Sequence, residues 1–239
     1  MIEIFQEYWP QYLGIGSQGG LSGAAMTIWL MLLTFCLGLL ASIPLAILRV
    51  SPNKYLSKPI QFYTFVFRGT PLYVQLLIVY TGLFGLDFIR ETPSLAAFFK
   101  SGFNCVVVAF SINCCAYVTE VLAGSIRAIP SGEIEAARAF GFSTPKLYAK
   151  IILPSALRRA LPYYSNEVII VLHTTSIAFT ATVPELLKVA RDVNSATYAS
   201  FSAFGIAGIF YAVIAAILVL IFRRLEKRWL AFLRPMSTH

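Results

Sequence analysis

Residues 201–222 read FSAFGIAGIFYAVIAAILVLIF, an uncharged apolar run that ends abruptly at Arg223-Arg224-Leu225-Glu226-Lys227-Arg228. At the helical rise of about 1.5 Å per residue such a run spans about 30 Å, the thickness of the hydrocarbon core of a bilayer. Four more segments share its length and apolarity: about Leu21 to Leu48, Pro59 to Leu86, Phe103 to Ile126, and Leu161 to Leu187. With 58% hydrophobic and 13% charged residues over 239 positions, the chain lacks the polar cover of a soluble domain, which carries about 25% charged residues. The expected class is therefore all-α: a polytopic membrane bundle of five transmembrane helices that uses the whole chain, 1–239, as one domain. Neither a soluble catalytic domain nor a nucleic-acid partner fits.

The net charge of +8 is distributed as a topology signal and does not form a phosphate-tracking surface. Arg49, Lys54 and Lys58 follow the first span. Arg127, Arg138, Lys146, Lys150, Arg158 and Arg159 follow the third, and Arg223, Arg224, Lys227, Arg228 and Arg234 form the tail. The opposite loops hold only Arg90, Lys100, Lys188 and Arg191. The positive-inside rule then places the N-terminus outside and the C-terminus in the cytoplasm. The first residues carry Glu3 and Glu7 without Lys or Arg, and the first apolar run is too long for a secretory h-region, so no cleavable signal is expected. Cys36, Cys105, Cys114 and Cys115 all lie in apolar runs and read as free thiols.

The longest connection, about 127–160, has a pattern of its own. Ser131 is placed to cap a helix with Glu133 and Glu135 near its positive end, and Gly141 suits a left-handed stop. Thr144 then caps a second short helix with Pro145 in its first turn, limited by Pro154. A solvated connector and a functional element are both compatible with this pattern.

Ionisable residues within spans are costly, at about 2.5–3.5 kcal/mol on insertion scales, and normally face a cavity or a partner. Arg68, Glu120 and Glu167 lie within spans and are the first candidates for function. Arg68 falls near the midplane and is followed by Gly69-Thr70-Pro71, where the proline removes a donor and pushes Thr70 out of the helical region. An interruption at that depth survives where the freed backbone groups line a cavity or find partners. The break is thus either a substrate-carboxylate site or a packed proline kink. Glu167 and Thr174, seven residues apart, share a helix face. Glu167 either holds a substrate cation or neutralises Arg68, and Glu120 is expected to act structurally beside Arg127.

Gly14-Ile15-Gly16-Ser17-Gln18-Gly19 matches a dinucleotide fingerprint, but it follows no strand and reads as an interfacial linker. Gly20-Leu21-Ser22-Gly23 resembles a rhomboid-protease serine motif, yet Ser22 sits at the edge of a span and the only mid-span histidine is His173. That histidine, with His239 the only other, reads as a packed polar residue, and no His-rich metal site is expected. The sole aspartates, Asp87 and Asp192, fall in outer loops, so no intramembrane aspartate dyad is available.

Glu135-Ala136-Ala137, Gly141 and Ile152-Leu153-Pro154 resemble the Glu-Ala-Ala loop of membrane subunits of ABC importers. Ala116-Tyr117, Glu120, Gly124, Ile126-Arg127, Ile129-Pro130 and Gly132 are similar to the polar amino acid permease group. So are Arg68-Gly69-Thr70-Pro71 with Val74-Gln75, and Asn166-Glu167. The tail, Phe222-Arg223-Arg224 with Glu226-Lys227-Arg228-Trp229, resembles the permeases of histidine and basic amino acid importers, with arginine-specific sister permeases similar in the same places.

The resemblance implies a type I importer permease of the inner membrane, which is not itself an enzyme. It implies an ATP-driven importer that carries histidine, lysine, arginine or ornithine from the periplasm. The implied partners are a paralogous permease, two ATP-binding cassette subunits that use ATP and Mg, and a periplasmic amino acid-binding protein. In keeping with this division of labour, the chain has no Gly-x-x-x-x-Gly-Lys-Ser/Thr loop. The implied substrate contacts are Arg68, Gly69, Thr70, Gln75, Glu167, Thr174 and Thr175. Glu135, Ala136, Ala137, Arg138 and Gly141 are implied to couple to the ATPase, with the small residues permitting close approach. One departure stands out: related permeases often carry Lys-Asp-Thr-Ser where this chain has His173-Thr174-Thr175-Ser176, so an acid at position 174 is missing. The rival class is an ATP-independent channel or carrier.

Overall fold

A computed structural model describes residues 1–16 and 19–230. Ser17 and Gln18 of the glycine-rich segment, and Arg234 and His239 of the tail, lie outside the described residues.

The named elements among these residues are all helical. They comprise α1 (Ile2–Leu13), α2 (Gly23–Arg49), α3 (Lys54–Gly69), α4 (Leu72–Leu77), α5 (Asp87–Glu91), α6 (Pro93–Phe99), α7 (Gly102–Arg127), α8 (Ser131–Ala139), α9 (Thr144–Leu147), α10 (Leu153–Arg159), α11 (Leu161–Thr174), α12 (Leu186–Thr197) and α13 (Ser200–Trp229). Three of these, α2, α7 and α13, are each long and apolar enough to cross a membrane. The pair formed by α3 and the helical stretch Leu72–Gly85 passes the same test as one broken span, bent by 101°.

α2 and α7 form the centre. The buried stripe of α2 runs Ala24, Thr27, Met31, Thr34, Gly38, Ser42 and Ala46, mostly small residues three or four positions apart. In a bilayer, where lipid tails are as apolar as leucine, helices associate chiefly through such close packing. A methyl group added at Gly38 would lie 2.8 Å from the Cys114 sulfur, so the two backbones meet at this glycine.

Several boundaries differ from those expected. The second span starts earlier, at Lys54, where the Asn53 side chain accepts from the Tyr55 amide at 2.9 Å. The fourth does not run unbroken to Leu187. The hydroxyls of Thr174, Thr175, Ser176 and Thr180 each bond the carbonyl three residues earlier at 2.6–2.9 Å. Over Thr175–Ala181 the helix tightens to the 3-10 form, and it stops at Thr182, which has a left-handed φ of 62°. Helix α12 then restarts on Glu185, which is wholly buried. The carboxylate of Glu185 accepts from the Leu187 and Lys188 amides at 2.7 Å and from the Tyr211 hydroxyl at 2.8 Å.

Sequence reading also missed α1. Its Tyr12 is fully buried, donates to the Ala203 carbonyl at 2.9 Å and stacks on Phe210, which fastens α1 to α13.

In the long connection, α8 begins at Ser131 itself with Pro130 as its cap, and α9 begins at Thr144 after Ser143, so neither Ser131 nor Thr144 acts as the cap. Gly141 does take the left-handed conformation, at φ +78°.

Candidate functional site

The turn that joins α3 to α4 sets the site. Pro71 cannot donate a hydrogen bond, and Thr70 is extended at φ −110°, ψ 145°. The last carbonyls of α3 therefore lose their helical partners, and side chains replace them. The Phe67 carbonyl accepts from Gln75 Nε2 at 2.9 Å and from Asn113 Nδ2 at 2.8 Å. The Arg68 carbonyl accepts from the Tyr117 hydroxyl at 3.3 Å, the Val66 carbonyl from the Thr70 hydroxyl at 2.8 Å, and the Thr70 carbonyl from Gln75 Nε2 at 3.1 Å. The break is a built feature, braced by α7.

Beside it lies a cavity of about 340 Å3, lined by Thr34 of α2, Arg68 to Leu72 at the break, Phe110, Asn113, Cys114 and Tyr117 of α7, and Glu167, Ile170, Val171 and Thr174 of α11. Five of the seven residues singled out as substrate contacts, Arg68, Gly69, Thr70, Glu167 and Thr174, line this space. The other two do not. Gln75 is buried and its amide is consumed in bracing the break, where it also accepts from Asn113 at 3.1 Å. Thr175 is fully buried, with its hydroxyl on the Leu172 carbonyl at 2.6 Å. His173 is exposed and is not among the residues lining the cavity, so it is not a packed core residue.

Two opposite charges face one another across this space without pairing. Among the described residues neither Arg68 nor Glu167 enters an ion pair, and Glu167, 6% exposed, has no hydrogen bond. The fully buried Thr34 hydroxyl, also in the lining, has no partner either. The arrangement suits a zwitterion: cationic guanidinium and backbone at one end, carboxylate at the other.

Glu120 is already satisfied, since it accepts from Arg49 Nε at 2.7 Å and from the Thr64 hydroxyl at 2.7 Å. Its partner is therefore Arg49 on α2, not Arg127. Sequence reasoning missed Asn113 and Tyr117 as site residues, although Asn113, Tyr117, Glu120 and Gly124 repeat at helical spacing along one face of α7 and mark it as polar.

The loop after α7 folds back on its own chain. Ala137 is 4% exposed and packs in a cluster with Ala46, Leu122, Ala123, Ile126, Ile129, Leu147, Ile152 and Ala156. It is thus unavailable to an outside partner. The outward face of α8 consists of Glu135, Ala136, Arg138 and Ala139, extended by Phe140, which is 84% exposed. Glu133 is held by Arg159 at 3.3 Å.

A family model for the binding-protein-dependent transport system inner membrane component matches residues 35–231. The chain is 56% identical, over the full length of both proteins, to the histidine/lysine/arginine/ornithine transport system permease protein HisM of Escherichia coli strain K12. To the octopine transport system permease protein OccM of Rhizobium radiobacter it is 37% identical, over 86% of this chain and 84% of that one. A crystal structure of an amino acid ABC transporter with histidines shares 30% identity and superposes with a TM-score of 0.77 over 94% of this chain and 96% of its own. The MetNI methionine ABC transporter in an inward-facing form is 15% identical with a TM-score of 0.71, covering 85% of this chain and 92% of its own, a likeness of fold alone.

Proposed function

The chain belongs to the family of binding-protein-dependent transport system inner membrane components, and from that membership we propose that it forms part of the path by which an ATP-driven importer takes up histidine and the basic amino acids lysine, arginine and ornithine. The observation that carries this reading is the cavity at the helix break, where Arg68 and Glu167 face the same space and neither is paired. Its volume of about 340 Å3 falls in the range of about 300–1,000 Å3 typical of small-molecule sites.

In this reading Arg68 and the Gly69-Thr70 backbone receive the α-carboxylate. Glu167 receives the ammonium or basic side chain, and the Thr174 hydroxyl adds a neutral contact where related permeases have an acid. Gln75 supports the break without touching substrate.

Five spans cross the inner membrane: α2, α3 with α4, α7, α11 with its 3-10 extension, and α13. The N-terminus is periplasmic and the C-terminus cytoplasmic. A paralogous permease completes the path, two ATP-binding cassette subunits use ATP and Mg, and a periplasmic binding protein delivers the amino acid. The permease itself catalyses no reaction.

Coupling follows from the packing of the loop. Ala137 of α8 shares one buried cluster with Leu147 of α9, Ala156 of α10 and the inner ends of α2 and α7 at Ala46, Leu122 and Ile126, so α8 is joined to α7 through α9 and α10. A push on its outward face, at Glu135, Ala136, Arg138 and Phe140, therefore travels as a rigid-body displacement into α7. That helix carries Asn113 and Tyr117 to the cavity.

The test is reconstitution with the native ATPase, paralogue and binding protein, followed by uptake of the four amino acids with and without ATP. Uptake that persists without ATP supports a channel or carrier instead, and failure to take up histidine narrows the assignment to an arginine-type permease.

A further inference from the structure

Arg68 and Tyr117 line two cavities at once. One is the site at the break. The other, about 540 Å3 in volume, lies along α7 toward the long loop, and its lining includes Arg68, Tyr117, Glu120, Gly124, Arg159 and Tyr163. No other residue is common to the two linings. At this boundary the Arg68 guanidinium lies over the Tyr117 ring, 5.2 Å from its centroid, and the Tyr117 hydroxyl donates to the Arg68 carbonyl at 3.3 Å. Side chain and backbone of the last turn of α3 are thus both fastened to α7 by one tyrosine.

We infer that Tyr117, with Arg68 laid across it, is the inner gate between the two cavities and the residue that makes passage depend on a ligand carrying both a carboxylate and a cation. This inference rests on the translocation reading above.

The charges around the pair support it. Glu120, the acid of the second cavity, is occupied by Arg49 and Thr64, each at 2.7 Å, and Glu167 does not reach Arg68 to form an ion pair. On this side the guanidinium rests on the ring, and Glu120 and Glu167 attract it only through space, without an ion pair or hydrogen bond. A cation on an aromatic face is bound more weakly than a cation hydrogen-bonded to a carboxylate. The carboxylate of an arriving amino acid therefore draws Arg68 off the ring and opens the boundary. The uncovered ring then offers its face to the ammonium or guanidinium of the same ligand as it leaves Glu167. A diamine such as cadaverine has the cation but cannot displace Arg68, and it should not pass. The Arg159–Glu133 pair at 3.3 Å ties the wall of the second cavity to α8, so the gate and the coupling loop share a frame.

The test uses the complete transporter in vesicles preloaded with labelled lysine or cadaverine. Efflux without ATP and uptake with ATP are measured on the same preparation. Tyr117→Leu should raise ATP-independent lysine efflux by about tenfold and admit cadaverine, the ratio expected from losing one cation–π contact. Tyr117→Phe, which keeps the ring, should leak far less. A Leu variant that takes up lysine and remains as tight as wild type overturns the gate and leaves the transport reading intact. A wild-type complex that moves none of the four amino acids overturns both.

A second measurement covers a Leu variant that fails to assemble. In a Cys36→Ser, Cys114→Ser background with Tyr117 unchanged, Gly124→Cys in the second cavity should react with an impermeant maleimide from the inner side. Thr174→Cys in the first should stay protected in the absence of lysine. Equal reaction at both positions without lysine overturns the gate.

Discussion

Replacing Glu167 by Gln separates the two roles open to a buried intramembrane carboxylate. If Glu167 neutralised Arg68, the substitution would strand a buried charge at a cost of about 3–5 kcal/mol, and the complex would assemble poorly. The structure contains no such pair: Glu167 is 6% exposed, and among the described residues it has neither an ion-pair nor a hydrogen-bond partner. The amide has nearly the same shape and a smaller desolvation cost than the ion, so protein level and thermal melting of the complex should not fall. The substrate cation, by contrast, loses a charge-assisted hydrogen bond worth about 1.5–3 kcal/mol, which is roughly 10- to 100-fold in affinity. The half-saturating concentration for lysine and arginine uptake should rise by about that factor, and that for histidine, whose side chain is largely neutral at pH 7, by less. Uptake, ATP hydrolysis and melting have to be read on one preparation of the reconstituted complex. Wild-type uptake of lysine by a fully assembled Gln variant would remove Glu167 from the site; loss of assembly would show that it carries a structural charge balance after all.

The buried carboxylate of Glu185 holds two α12 amides and the Tyr211 hydroxyl, so Glu185→Ala removes a helix cap and takes the carboxylate partner from Tyr211. The expected loss is about 3 kcal/mol in a detergent melting assay, with Glu185→Gln recovering part of it; an unchanged melt would refute the account of how α12 docks. On α8, Ala137→Glu buries a charge in the loop's own core and should open 127–160 to limited proteolysis, whereas Ala136→Glu on the exposed face should leave the loop protected and weaken copurification of the ATPase. A reporter fused at the chain's end should read as cytoplasmic and one inserted at Asp192 as external; the reverse pattern would refute the five-span topology.

Properties that depend on a few neighbouring residues were legible without coordinates. Hydropathy alone located α2, α7 and α13, because a lipid environment demands long unbroken apolar helices. The break at Gly69-Thr70-Pro71 was legible because proline acts on its own and the preceding residue, and the left-handed stop at Gly141 because a missing Cβ is a local fact. Arg68 and Glu167 stood out because charge within a span is costly wherever it falls.

What escaped depends on how helices rotate against one another. Glu120 and Arg49 are 71 positions apart, and their pairing follows from the small-residue seam that brings α2 onto α7. The same packing turns Ala137 inward while its neighbour Ala136 stays exposed, and it brings Gln75 and Asn113 to the orphaned carbonyls of α3. The amphipathic α1 gave no signal of its own, since its Tyr12 is buried only because α2 and the sequence-distant α12 and α13 pack around it. The sequence by itself determined that charges and a broken helix would sit in the membrane, since the lipid tolerates them only at a cost. Only the tertiary structure decided which of them neutralise each other, as Glu120 and Arg49 do, and which are left facing a cavity, as Arg68 and Glu167 are. An ion pair needs its partner within about 4 Å, and helix register and rotation, not spacing along the chain, set that distance.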